Sequence, residues 1–441
     1  MRTKLLCMSL LMLMTVPAVA DVEINETNFP DQYFREWLTR QTYGADGVLT
    51  DEEIAGVKTM RVNNISSMKK IYSLQGIEFF TALTGLYCEL LELTELDLSK
   101  NTNLTNLSCN NNHLTELDLS KNILLENLNC NDNQFSSLDV SMCPMLKGIS
   151  CYNNRLTALD VTHNPELDVL DCSENMLTEL NVTNNTKLYR LAFENNQIAS
   201  VDVSKMSNLT YLEVANNQLT ELDVSANGHL YAISCGNNLL TSIDVKNNGD
   251  LQSLACSYNQ LTSLDVTKNR SLMLLGCAGN KLTSLDLTKN PILTNIDVSD
   301  NLLTTLDLSG MPDKWTLQVY LQLNQISGAG MDALVRSLPT REWKKNSKEA
   351  YLHVVWNEGE QNVITAAHVA AAKAKNWVTQ YYDGQKWHDY AGSDAAGIER
   401  MAADRKADTS GRWYDLHGRR MEGNPDKGGV YIHDGRKVVV K

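Results

Sequence analysis

Residues 104–124 read LTNLSCNNNHLTELDLSKNIL, and units of the same pattern and the same length of 21 residues recur through most of the chain. Leucines, asparagines and cysteines hold fixed places within each unit. Regular copies begin at residues 83, 104, 125, 146, 167, 188, 209, 230, 251, 272 and 293, and a distorted twelfth copy ends at residue 326. Eleven starts in one register exclude coincidence, and self-similarity at such a period indicates a solenoid.

The apolar spacing within one unit predicts the shape of a coil. A short strand at about residues 106–110 would turn Leu107 and Cys109 inward, because successive side chains of a strand face opposite sides. Leu117 and Leu119 alternate likewise on the return path, which would be a second short strand or an extended turn. We therefore predict a mainly β fold, a right-handed leucine-rich-repeat solenoid of about twelve 21-residue coils with α/β caps and a small C-terminal β tail.

The first twenty residues are typical of a targeting segment. Arg2 and Lys4 precede the apolar run Leu5–Val16, and Ala18–Ala20 supplies a small-residue cleavage pattern, so we predict export. No later apolar run reaches the length of a membrane span. The predicted organisation is a signal peptide at 1–20, an N-terminal cap at 21–82, the solenoid at 83–326, a C-terminal cap at 327–390, a linker at 391–410 and a β tail at 411–441.

Composition and motifs exclude two classes of function. The chain has 39 Lys and Arg against 53 Asp and Glu, a net charge of −14, whereas a nucleic-acid binder needs a basic face. We find no His-Glu-x-x-His, Gly-x-Ser-x-Gly, phosphate-loop or Cys-x-x-Cys motif, and the eight histidines share no repeat phase. We therefore predict a protein that is not an enzyme and that uses no cofactor and no metal.

Eight of the ten cysteines share one inward position of the repeat. Phe, Val or Leu takes that position in the other four copies, which indicates a core site, and parallel Cβ vectors disfavour disulfides between neighbouring coils. We predict a ladder of buried, reduced thiols: Cys88, Cys109, Cys130, Cys151, Cys172, Cys235, Cys256 and Cys277. Cys143 replaces a loop asparagine instead, and we expect it to be exposed and reactive.

Asparagines and aspartates also form rows. One asparagine per coil, as in Asn112, Asn133, Asn154 and Asn175, is expected to bond the turning backbone of its own and the next coil. An outward row of aspartates runs from Asp97 to Asp307. Two explanations fit this row: side-chain hydrogen bonds to the turns, or calcium binding. Residues 46–53 also echo a calcium loop, although Thr50 followed by Glu53 equally predicts a helix start. A calcium-stabilised binding module is therefore one alternative.

The outward positions of the strands are where we expect a partner to dock, because a concave parallel sheet presents a rigid, extended surface. Tyrosines beside carboxylates suit an extracellular protein or glycan with basic or polar groups. The candidate binding residues are Tyr152, Asp171, Glu174, Arg190, Glu194, Tyr211, Glu213 and Tyr258.

The repeat with its cysteine resembles the bacterial internalins, in particular their internalin J-like, cysteine-ladder branch. The segments Phe29–Asp31, Asp46–Glu53 and Gly76–Phe80 resemble the N-terminal region of related Bacteroidota surface proteins. This resemblance covers residues 25–395 and implies an exported, adhesin-like binding protein at the cell surface or secreted. It does not carry a ligand across, because the exposed positions are those that vary.

The C-terminal tail resembles a type IX secretion sorting domain. A Tyr-Asp-Leu-x-Gly-Arg strand at 414–419 precedes Gly429–Ile432 and a Lys-rich end. The resemblance implies that the tail engages the secretion machinery. The tail is shorter than the usual domain, so a periplasmic scaffold or assembly factor that binds another envelope protein remains the other alternative.

Overall fold

The computed structural model describes residues 21–312, 317–341, 350–356 and 359–393, together with the backbone of strands at 413–414, 429–433 and 436–440. The predicted signal peptide and residues 394–410 of the predicted linker lie outside the described residues. The chain forms two compact units, Met1–Leu251 and Gln252–Lys441.

The first unit begins with a small α/β segment. Strands Val22–Glu23 and Val48–Leu49 pair in antiparallel fashion. Asp31 is the N-cap of helix Gln32–Leu38. Its carboxylate accepts hydrogen bonds from the backbone N–H groups of Tyr33 and Phe34 at 2.8 and 2.9 Å.

Helix Asp51–Gly56 begins with a capping box. The Thr50 hydroxyl accepts the Glu53 N–H, and the Glu53 carboxylate accepts the Thr50 N–H at 2.9 Å. The helix-start interpretation of Thr50 and Glu53 is thus confirmed, and a 3₁₀ turn at Ile77–Phe79 follows before the repeats.

The repeats of the first unit stack through one parallel sheet. Each strand pairs with the strand of the next coil, in a register that advances by one repeat. The strands in order are Thr59–Arg61, Gly85–Tyr87, Asn106–Ser108, Asn127–Asn129, Gly148–Ser150, Val169–Asp171, Arg190–Ala192, Tyr211–Glu213 and Ala232–Ser234.

The predicted inward positions are buried. In the coil that starts at Leu104, the side chains of Leu107, Cys109, Leu117 and Leu119 are all excluded from solvent. The return path is extended without forming a strand, and Asp286 with Asp307 makes the only bridge found on it among the described residues. Of the two expected forms of the return path, the extended turn is the one observed.

The second unit continues the pattern and then changes it. Its parallel strands are Ser253–Ala255, Leu274–Gly276, Asn295–Asp297, Leu317–Tyr320, Ala350–Val355 and Trp377–Tyr382. Trp387–Asp389 adds an antiparallel strand, and helices Ala329–Ser337 and Ala366–Ala374 connect the last parallel strands. Strands Trp413–Tyr414, Gly429–His433 and Arg436–Val440 form a separate antiparallel sheet.

The mainly β leucine-rich-repeat fold is therefore confirmed. Eleven strands, from Gly85–Tyr87 to Asn295–Asp297, start 21 residues apart. The twelfth, at Leu317–Tyr320, starts 22 residues after the eleventh, which agrees with the distorted twelfth copy.

Candidate binding surface

The cysteine ladder is a feature of the interior. All nine described cysteines are buried and none is in a disulfide. Burial raises the pKa of Cys109, Cys151 and Cys256 to about 12, because a thiolate would lose its hydration there. Buried thiols that keep their protons at neutral pH react slowly, and these cysteines therefore serve as core side chains.

The expectation for Cys143 is wrong. Its side chain is fully buried, and its Sγ lies 3.8 Å from the carbonyl oxygen of Leu119 and 3.6 Å from that of Asn122. Burial raises its pKa to about 11. Cys143 occupies an interior slot that asparagine fills in other coils, because that asparagine is itself buried and not a loop residue at the surface.

The predicted asparagine ladder closes each coil. The Asn175 Nδ2 donates to the carbonyl oxygens of Cys151, Cys172 and Ser173 at 3.0 to 3.1 Å. Its Oδ1 accepts the N–H of Leu156, one coil back, at 2.9 Å. One side chain thus satisfies backbone groups of its own coil and of the preceding coil, whereas the sequence analysis expected the next coil. This double role explains why the same residue recurs.

A second asparagine ladder was missed by the sequence analysis. Its members are fully buried, and in most of them Nδ2 donates to two carbonyl oxygens of the preceding coil, as Asn185 does to Val161 and Asn164 at 3.0 and 2.8 Å. The signal was present as a second asparagine near the end of the unit, which recurs in eight of the eleven regular copies. The ladder comprises Asn101, Asn122, Asn164, Asn185, Asn227, Asn248, Asn269 and Asn290.

The aspartate row belongs to the turns of the return path. Asp118 Oδ1 accepts the N–H of Ser120 at 2.8 Å, and Asp160 Oδ1 accepts the N–H and the hydroxyl of Thr162 at 2.9 and 2.7 Å. These hydrogen bonds hold the pKa of both carboxyls below its ordinary value. Within the described chain, no three His, Cys, Asp or Glu side chains are grouped as a metal site would require.

Six of the eight predicted binding residues come together on the outward face of the first unit's sheet. They lie on or next to three adjacent strands, Val169–Asp171, Arg190–Ala192 and Tyr211–Glu213. These six are Asp171, Glu174, Arg190, Glu194, Tyr211 and Glu213. Tyr152 lies one coil earlier, whereas Tyr258 belongs to the second unit.

Charged side chains surround Ala192 at the centre of this group. Ala192 pairs in register with Asp171 on one side and Glu213 on the other. Arg190 Nη2 donates to Glu213 at 2.9 Å, and Glu194 Oε1 accepts the Ser234 hydroxyl at 2.8 Å. The side chain of Ala192 is only 1% exposed, because its longer neighbours rise around it.

Tyrosines border the charged residues. The rings of Tyr211 and Tyr231 lie 5.7 Å apart, and Tyr189 directly precedes Arg190. Tyr189 and Tyr231 are 44% and 39% exposed, yet the sequence analysis omitted both. Both tyrosines lie one residue before their strands, outside the alternation that selected the other candidates. Because they share one position of the repeat, a comparison of that position between coils could have identified them.

Tyr152 approaches the same face from the preceding coil. Burial, followed by the charges of Asp132 and Asp171, raises the pKa of Tyr152. Its backbone N–H donates to Asn131 Oδ1 at 3.1 Å. Tyr152 therefore extends the face with a polar ring that stays protonated at neutral pH.

Two predicted residues occupy strained backbone positions. Glu174 and Tyr258 have φ of +53° and +55°, in the left-handed region that most coils give to asparagine, aspartate or glycine. A Cβ on Gly279 would come within 2.4 Å of the Tyr258 ring, so that glycine makes room for the ring. Tyr258 is nevertheless 57% exposed. The left-handed conformation at this position is a feature of the repeat, because Leu90 and Leu323 adopt it as well.

The fold and this surface define a leucine-rich-repeat protein, a class whose open sheet serves as a binding scaffold. The Leucine Rich repeat family model matches residues 110–123. A search among curated proteins finds no match.

Solved structures place the chain more narrowly. The functional domain of InlJ from Listeria monocytogenes, which includes a cysteine ladder, is 30% identical with a TM-score of 0.56 over 78% of this chain and 84% of that one. The chain therefore belongs to the internalin-like leucine-rich-repeat proteins.

More distant structures share the fold. The internalin InlF of the same species is 21% identical, with a TM-score of 0.63 over 83% of this chain and 99% of that one. The ectodomain of the plant receptor kinase GASSHO1/SCHENGEN3 from Arabidopsis thaliana, in complex with CASPARIAN STRIP INTEGRITY FACTOR 2, is 22% identical. Its TM-score is 0.50, over 70% of this chain and 43% of that one.

Proposed function

We propose that the protein is an exported, non-enzymatic binding protein of the bacterial surface, adhesin-like, whose sheet face between Tyr152 and Ser234 contacts an extracellular protein or glycan. The observation that carries this proposal is the meeting of tyrosines, carboxylates and Arg190 on one rigid sheet face. Tyrosine and arginine are the residue types that most often dominate the energy of protein interfaces.

Two further observations, on the cysteines and on the carboxylates of the return path, support binding without catalysis. The described cysteines are buried, with pKa values raised where a shift is found, which removes the strongest candidate nucleophiles. The aspartates of the return path accept hydrogen bonds within their own turns. No helix among the described residues has the length and apolarity to cross a membrane. The outward face of the sheet is therefore the surface that we propose for binding, because it is large, rigid and chemically varied.

Location is tested with two versions of the chain in cells that export the protein. Intact cells making either the full chain or residues 1–397 are treated with a membrane-impermeant label and with protease. We expect the full chain to be labelled and shaved, and the truncated chain to be protected, because the tail at 411–441 is proposed to engage the secretion machinery.

Protection of both chains would contradict surface exposure. Such a result would favour the periplasmic scaffold, and the partner would then be sought among envelope proteins. A matched control is a periplasmic marker in the same cells, which must stay protected in every sample.

A further inference from the structure

We propose that the end of the second unit's sheet responds to acid, because protonation of His353 releases the edge strand Trp387–Asp389. The group responsible, which we call the His353 cluster, consists of His353 with Gln318, Tyr320 and Trp387, whose side chains lie against its ring. All four belong to the second unit, whereas the proposed binding face belongs to the first. The inference therefore goes beyond the proposed function and does not depend on it.

Aromatic rings enclose His353, which is only 3% exposed. The Tyr320 ring is nearly parallel to the imidazole, with 4.2 Å between the ring centroids and 6° between the planes. The Trp387 ring packs on the imidazole at 4.3 Å and 60°. These two rings come from different strands, Leu317–Tyr320 and Trp387–Asp389. The site therefore suits an uncharged imidazole, because burial penalises the charged form of a side chain.

The hydrogen bonds of His353 also fit only the uncharged ring. Its Nε2 lies 2.8 Å from Gln318 Oε1, so Nε2 carries the proton and donates it. Its Nδ1 is shielded from solvent and has no partner among the described residues. Protonation would make Nδ1 a second N–H donor, buried without an acceptor, which is costly. Burial accordingly lowers the pKa of His353 to about 4.

Uncharged side chains surround His353 on the strands packed beside it. They are Gln318 and Tyr320 on one side, Gln380 and Trp387 on the other, and Tyr351 on its own strand. Two carboxylates lie one strand further away, since Asp297 pairs in register with Tyr320 and Asp389 with Gln380. The rings would attract an imidazolium. The lowered pKa shows that the loss of hydration outweighs this attraction.

The strand Trp387–Asp389 is the part of the sheet that can yield. It is three residues long, lies at the edge of the sheet and pairs with Trp377–Tyr382. Short edge strands open at a lower free energy than the core does. Because Trp387 covers His353 from this edge, release of the strand lets water reach the imidazole. Release also leaves the edge of Trp377–Tyr382 unpaired and uncovers the Tyr382 ring, which lies 5.2 Å from that of Trp387.

The coupling between the proton and the strand has a definite sign. The pKa of His353 is about 4 when the strand is closed and takes the ordinary value of 6.5 once the ring is hydrated. The open form therefore binds the proton more tightly. The contribution of His353 to closure is complete above pH 6.5 and is lost as the pH falls towards 4. At pH 5 the ratio of open to closed forms should be about 20-fold higher than at pH 7.

Two nearby carboxyls respond to acid differently. Hydrogen bonds from the turn amides and from His388 lower the pKa of Asp383 to about 2, so its contribution is lost only below pH 3.8. Burial raises the pKa of Glu360, which has the opposite sign, because its protonation favours the folded form. Neither carboxyl can therefore cause an opening between pH 6.5 and pH 4.

Hydrogen exchange of the full chain, followed by mass spectrometry at pH 7 and pH 5, tests the inference. Protection factors of peptides within residues 383–390, corrected for the intrinsic effect of pH on exchange, measure the opening. We expect them to fall about 20-fold in the wild-type chain and less than twofold in His353→Phe, which cannot be protonated. In that variant the Tyr320 hydroxyl still donates to Gln318 Oε1, at 3.3 Å.

His388→Gln is the matched control, because it removes the other histidine of the same hairpin. His388 Nε2 lies 2.6 Å from Asp383 Oδ2, and the glutamine amide can donate to this carboxylate in its place. We expect this variant to respond to acid as the wild-type chain does. His353→Gln, which keeps a donor for Gln318, repeats the test if His353→Phe does not fold. Thermal unfolding at pH 7 establishes which variants are folded.

A loss of protection that is confined to the hairpin and absent from the His353 variants would support the inference. Unchanged protection in the wild-type chain, or an equal loss in the wild-type chain and the His353 variants, would overturn it. An equal loss in peptides that cover the strand Asn295–Asp297 would also overturn it, because the whole sheet would then be opening. If His388→Gln alone abolished the response, the response would belong to His388 and not to His353.

Discussion

At the scale of single residues, buried asparagine amides hold the coils closed. Asn175 connects three carbonyl groups and one N–H across two coils. We predict that Asn175→Ala lowers the free energy of unfolding by about 3 kcal/mol, because the buried N–H of Leu156 loses its acceptor.

Urea unfolding followed by circular dichroism measures this effect. Asn129→Ala is the matched control, since Asn129 lies outward on its strand. It should change the free energy of unfolding by less than about 0.5 kcal/mol. Equal losses in the two variants would mean that the ladder does not close the coils.

The cysteines give a second prediction at this scale. All nine described thiols, including Cys143, should resist a maleimide at pH 8 in the native chain, because they are buried. All should react in urea. Mass spectrometry of the labelled peptides identifies each site. Rapid native labelling of Cys143 alone would restore the sequence-based expectation that it is exposed.

Cys143 also shows what the repeat pattern could and could not tell. The pattern revealed that Cys143 replaces an asparagine, but it gave no sign that this asparagine is buried. Burial depends on how the next coil covers the turn, and a single unit does not contain that information. The inward leucines, by contrast, were predictable because their side follows from alternation alone.

At the scale of one element, the turn of the return path depends on its aspartate. The pKa of these carboxyls is lower in the folded chain than the ordinary 3.8, chiefly through hydrogen bonds from the residue two positions on. Their contribution to stability is therefore complete above pH 3.8 and is lost as the pH falls through the folded value.

We predict that replacing four of them with asparagine flattens this acid sensitivity. Asparagine preserves the turn, as Asn181 shows by accepting the N–H of Thr183 at 3.2 Å, but it does not titrate. The measurement is the urea midpoint at pH 7 and pH 3. The residues replaced are Asp118, Asp160, Asp202 and Asp223.

A charge-matched variant is the control for that comparison. It carries glutamine at four exposed glutamates that each lie two residues before the turn position of their own coil, namely Glu95, Glu116, Glu179 and Glu221. Its midpoint should fall between pH 7 and pH 3 as steeply as that of the wild-type chain. Equal flattening in both variants would show that net charge, and not the turn hydrogen bonds, causes the acid sensitivity.

At the scale of the whole molecule, the 21-residue period predicted far more of the fold than the composition did. Eleven strand starts and the inward and outward sides of each strand followed from the spacing of 21 residues, and the structure confirms them. The candidate binding surface could be predicted less completely from the sequence. The outward positions of Asp171 and Arg190 were predictable, but Tyr189 and Tyr231 lie before their strands, and the covering of Ala192 depends on side chains of the neighbouring coils.

The most direct test of the central claim is site-specific photo-crosslinking in cells that export the full chain. The photo-crosslinking amino acid benzoylphenylalanine replaces Tyr211 on the sheet face. In the control it replaces Glu179 on the return path. Both kinds of cell are then exposed to candidate extracellular proteins and glycans. The account predicts crosslinks to a defined extracellular species from position 211 and none from position 179. Crosslinks of equal strength from both positions, or from position 179 alone, would contradict it.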